Sequence, residues 1–145
     1  FTPDAYVALE TERALTACDA AHPSLPALFA ELERTRHLCA GRPLGFVLIP
    51  DEFMVEDALW QQVTAAVPAD RRLGERWALR DRLVAWCRDA SVPCLDLLPV
   101  LRAVPPFGDG DRHLYLLRDT HWNARGNEVA GKALAPFVRE LLRSR

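Results

Sequence analysis

Apolar residues recur along this chain at two spacings. At helical spacing, Tyr6, Leu9, Ala14, Leu15 and Cys18 predict an amphipathic helix over residues 3–21. Leu28, Phe29, Leu32, Thr35, Leu38 and Cys39 form a second stripe. Ser24 reads as its N-cap, Pro26 falls in its first turn, and Gly41 stands where helices stop. Residues 51–67 and 73–91 read as further helices, the latter turning Leu79, Leu83, Trp86 and Cys87 inward. A last helix, 124–142, carries Val129, Ala130, Ala133, Leu134, Phe137, Val138, Leu141 and Leu142 on one face. Pro136 inside it removes a backbone bond and predicts a bend.

Two other runs are short and continuously apolar: "PLGFVLIP" at 43–50 and "VPCLDLLP" at 92–99. Runs without polar alternation suit strands covered on both faces, as in a parallel sheet. Strand, helices, strand makes a βαβ unit, whose crossover is expected to be right-handed. "PPFGDGDRH" reads as a surface loop, and "LYLL" at 114–117 as a short extended segment after it. The expected class is α/β, a three-layer α/β/α arrangement on a parallel, flavodoxin-like sheet. Residues 1–145 form one such domain or the C-terminal portion of a larger one.

Composition narrows the function classes. Half of the 145 residues are hydrophobic and the formal net charge is -2. That favours a globular domain with a core and gives no electrostatic reason to expect a nucleic-acid partner. No apolar run approaches the roughly 20 residues that span a bilayer. Lys132 is the single lysine against 17 arginines, a bias that points to a GC-rich genome rather than to function. None of Cys18, Cys39, Cys87 and Cys94 pair as CxxC, which argues against a zinc site; beside apolar residues they are expected to be free, buried thiols, with a disulfide as the alternative in an exported protein.

The candidate chemistry lies in "RDTHWNARGN", residues 118–127. Asp119 stands two residues before His121, Trp122 follows, and a polar turn opens the last helix. A carboxylate on one imidazole nitrogen fixes the tautomer and leaves the other nitrogen free to deprotonate a nucleophile. The same residues also fit a helix cap or a surface ion pair. A metal site from His113, Asp119 and His121 would need a further ligand that no spacing supplies. Asp96, inside "CLDLL", reads as a buried acid tied to a neighbouring loop. Asp51 and Glu52 stand at a strand's carboxyl end, where ligands bind, and read first as acids in a helix's first turn.

In order, Asp119, His121, Asn123, Gly126 and the alanine-rich helix after them resemble the end of an SGNH (GDSL-type) hydrolase. The Asp-x-His-Trp form is most similar to the branch of alginate-acetylation proteins and sugar O-acetyl esterases. The resemblance covers about residues 45–142. It implies a serine esterase, or an acyltransferase, acting on a small-molecule or carbohydrate ester. His121 would be general base then acid, Asp119 its orienting partner, and Trp122 and Asn123 would contact substrate. No cofactor and no metal is implied, and an extracytoplasmic location is. The rival reading is a non-catalytic carbohydrate-binding or scaffold domain on the same fold.

The family's Gly-Asp-Ser nucleophile motif is missing. The serines are Ser24, Ser91 and Ser144, and none stands on a glycine-rich turn. The chain begins at Phe1 rather than Met, so the serine is expected on an upstream segment. The alternative is a downstream position, as in the permuted alginate-acetylation branch.

Overall fold

A computed structural model describes residues 1–143. Helix α1 (Pro3–Ala17) starts at Thr2, whose hydroxyl accepts the Ala5 N–H, with Pro3 in its first turn. It stops at Ala17, four residues before the end of its expected range. Helix α2 (Leu25–Leu38) leaves its stripe poorly covered: Phe29 and Leu32 are half-buried and Leu38 is exposed. The Arg82 guanidinium lies 5.2 Å over the Phe29 ring and shields it. Ser24 begins α2 without a side-chain cap bond.

Strands β1 (Phe46–Leu48) and β2 (Cys94–Asp96) pair in parallel, Phe46 opposite Cys94 and Leu48 opposite Asp96. The two expected strands and their parallel sense are therefore present, each only three residues long. β2 ends early because Asp96 caps the next helix, α6 (Leu97–Arg102), accepting the Leu98 N–H at 3.1 Å. Pro99 is tolerated there because first-turn N–H groups have no helical partner.

The single helix expected over 51–67 is broken. α3 (Glu52–Val55) and α4 (Asp57–Ala66) meet at Glu56, whose backbone is extended. Glu56 turns inward and its Oε2 accepts the Arg112 N–H at 3.3 Å, an anchor that overrides helical continuity. The helix expected over 73–91 begins only at Ala78 as α5 (Ala78–Asp89). The residues before it are used otherwise: Arg76 donates to the Phe53 and Glu56 carbonyls, and its guanidinium lies 5.1 Å over Trp60. Helix α7 (Ala124–Arg143) contains Pro136.

The core gathers Ala14, Cys18, Phe53, Val55, Val63, Leu97, Leu101 and Leu114. Around the sheet, Phe46 meets Trp86 of α5 edge-on at 5.7 Å. A Cβ on Gly45 would sit 2.9 Å from the tip of the Phe137 ring of α7, so glycine lets that side chain pack closely on the strand's start. No helix among the described residues is long and apolar enough to cross a membrane.

Candidate active site

The segment expected to be a strand at 114–117 forms only one antiparallel bridge, Tyr115 to Trp122. The intervening residues turn back instead: Leu116 N–H bonds the His121 carbonyl at 2.9 Å and Asp119 N–H bonds the Leu116 carbonyl at 3.1 Å. Closing so tight a loop puts Arg118 in the left-handed region, φ 54°. Side chains commit the loop further. Tyr115 is buried and its hydroxyl donates to the Pro50 carbonyl at 3.0 Å, joining the loop to the carboxyl end of β1.

Asp119 and His121 come together on this loop. Asp119 Oδ1 lies 2.5 Å from His121 Nδ1 and also accepts the His121 backbone N–H at 2.9 Å. The hydrogen bond from His121 holds the Asp119 carboxyl below the usual carboxylate range, so it is ionised at neutral pH. Beside an ionised Asp119, Nδ1 is the donor of this bond, and Nε2 is the nitrogen that carries the lone pair whenever the ring is neutral. The His121 side chain is 81 % exposed, and Nε2 has no protein partner among the described residues. This is an oriented base without a nucleophile in contact.

Asn123 is the loop's clamp. Its amide donates to the His113 and Tyr115 carbonyls at 2.7 and 3.0 Å, and its Oδ1 accepts the Gly126 N–H at 3.0 Å. That last bond caps α7. Gly126 is needed because a Cβ there would lie 2.2 Å from the Leu114 carbonyl oxygen. Trp122 is half-buried against the core, its indole N–H beside the Tyr115 hydroxyl without a well-formed hydrogen bond.

The other histidines and serines lie elsewhere. His113 Nε2 pairs with Asp109 at 2.7 Å, not with Asp119. Ser24 Oγ sits 2.7 Å from His22 Nδ1 within one exposed turn. Ser91 follows α5 at φ 54°, and Ser144 lies outside the described residues. His37 pairs with Glu33. Among the described residues no group of three or more His, Cys, Asp or Glu is placed to hold a metal ion. Asp96 is tied to Arg80 of α5, at 2.9 Å from Nε, rather than to a loop as expected.

Sequence reasoning missed Tyr115. Asp51 and Glu52, expected at a strand's carboxyl end, do stand there and open α3, and their side chains reach α1: Asp51 pairs with Arg13, and Glu52 accepts the Tyr6 hydroxyl.

Comparison with known proteins adds the last finding. The family model described as the SGNH hydrolase-like domain of acetyltransferase AlgX matches residues 19–144. A search of the curated proteins found no significant match. A search of the solved structures found none either.

Proposed function

Because the chain belongs to the family of SGNH hydrolase-like domains of acetyltransferase AlgX, we propose that Asp119 and His121 are the acid–base half of a serine acyl-transfer site. The family is one of acyl hydrolases and acetyltransferases. The observation that carries the reading is the Asp119 Oδ1 to His121 Nδ1 bond with Nε2 left open to solvent.

In this reading a serine outside residues 1–145 attacks the ester carbonyl. His121 Nε2 takes the hydroxyl proton and returns it to the leaving alcohol, and Asp119 steadies the imidazolium between those steps. The acyl-enzyme then passes its acyl group to water, as an esterase, or to a carbohydrate hydroxyl, as a transferase. Trp122 walls the acyl or sugar subsite. Asn123, its amide committed, serves substrate by holding the loop. In this reading the serine stands in a Gly-Asp-Ser segment outside residues 1–145. A three-layer arrangement is supported by consecutive residues facing different helices, Gly45 towards α7 and Phe46 towards α5.

The test is hydrolysis of, and transfer from, a small activated acetate ester. This chain alone should stay at background. Joined to its Gly-Asp-Ser segment it should turn over. An inert joined protein that still binds an O-acetylated polysaccharide with His121 replaced would make it a binding domain instead.

A further inference from the structure

A second set of ionisable groups lies away from His121, where α1 meets the residues that follow β1. Glu10 on α1 is fully buried, and neither of its carboxyl oxygens has a hydrogen-bond partner. Its nearest cation is Arg13, with Nε 3.5 Å from Oε1, but the Arg13 guanidinium is already bonded to Asp51. One turn earlier on the same face, the buried Tyr6 donates its hydroxyl to Glu52 of α3. Glu56, Asp111 and Tyr115 face Glu52 from the other side. Arg112 is occupied by Glu56, at 3.2 Å.

Charge counting decides what this cluster does. Beside Arg13 stand two carboxyls, Glu10 and Asp51, and Glu52 feels the charges of Glu10, Asp111 and Glu56 with only the Tyr6 hydroxyl bonded to it. One guanidinium neutralises one carboxylate. Further ionised carboxylates in so buried a setting would lose hydration with no cation left to compensate them. Asp51 holds the strong bond to Arg13, so the protons fall to Glu10 and Glu52.

We propose that Glu10 and Glu52 carry protons in the folded protein and act together as a pH-sensitive latch that seats α1 on the end of β1 and loosens it as they ionise. Burial pushes both carboxyls up to about 7, and their mutual repulsion adds to the rise of Glu52. The latch therefore works near neutral pH. Of the two groups, Glu10 lies on α1, ahead of the matched residues 19–144, and Glu52 lies within them. The proposal stands independently of the acyl-transfer reading.

The experiment is thermal unfolding between pH 5 and 9, for the unchanged chain, Glu10→Gln and Glu52→Gln, together with amide exchange of α1. The unchanged chain should lose several degrees of Tm as pH rises towards 7 and level off above it. Each variant should flatten that slope and unfold at a higher temperature than the unchanged chain at pH 8.5. Amides of α1, corrected for intrinsic exchange, should open at least tenfold more often at pH 8.5 than at pH 5.5 in the unchanged chain only. Parallel Tm profiles in all three proteins would overturn the proposal. A Tm at pH 8.5 restored by millimolar calcium would also overturn it, since a bound cation would then be the compensating charge. Where a variant does not fold, carbon-13 titration of the two carboxyls in the unchanged chain decides, and values near 4.5 contradict the latch.

Discussion

Asp119 Oδ1 binds His121 twice, through the ring Nδ1 at 2.5 Å and through the backbone N–H at 2.9 Å. A carboxylate that holds both the ring and the chain of one histidine fixes its rotamer as well as its tautomer. Asp119→Asn removes the charge and presents an amide that can donate to Nδ1, which favours the wrong tautomer. In the protein carrying its serine, kcat for ester hydrolysis should fall on the order of 10³-fold or more for Asp119→Asn and for His121→Ala. The double variant should be no worse than either single one, measured in a four-way kinetic cycle.

Asn123 caps α7 and clamps two loop carbonyls. Asn123→Ala leaves three backbone groups without their partner. It should cost about 1–3 kcal/mol in urea unfolding and raise loop exchange rates in residues 114–122. Asn123→Asp restores only the cap, so it should recover part of that loss.

Gly126→Ala tests the close approach of α7 to residue 114. The added methyl would meet the Leu114 carbonyl oxygen at 2.2 Å, which forces a backbone shift. The expected loss is about 1–3 kcal/mol of stability. Gly131→Ala is the control: nothing lies within 4 Å of a Cβ there, and it should be neutral or stabilising by helix propensity.

Asp57 lies between Arg102 and Arg76, and their hydrogen bonds hold its carboxyl at about 2 against an ordinary 3.8. A depressed folded value means the stabilisation is complete above pH 3.8 and is lost as pH falls through about 2. Asp57→Asn should remove this part of the acid sensitivity and leave the slope near pH 7 unchanged. Equal acid transitions in variant and parent would contradict the pairing.

Much of the fold is legible in the apolar spacing. The ends of α2 and α7, the two parallel strands and the Asp119–His121 loop follow from periodicity and turn chemistry. What periodicity could not show was tertiary in origin. Glu56 interrupts a continuous helical pattern because its carboxylate is recruited by Arg112, 56 residues away in sequence. Asp96 ends β2 because its side chain is drawn to Arg80 and to the Leu98 N–H. "LYLL" fails as a strand because Tyr115 goes inward to Pro50 while Leu117 is left 85 % exposed. Within the site, the two catalytic candidates were readable because they are neighbours in sequence. Tyr115 and Tyr6 were not, because each bonds a partner 65 or 46 residues away, and Glu10 was not, because its burial is set by tertiary packing. All four cysteines are free, as the spacing suggested.

The central claim is that His121 serves a serine located outside these residues. Labelling with a fluorophosphonate, read by peptide mass spectrometry, addresses it most directly. The account predicts that this chain alone stays unlabelled, and that the protein carrying its Gly-Asp-Ser segment is labelled at that serine. His121→Ala should slow this labelling on the order of 10³-fold. Labelling of Ser24, Ser91 or Ser144, or labelling at full rate with His121 replaced, would contradict it.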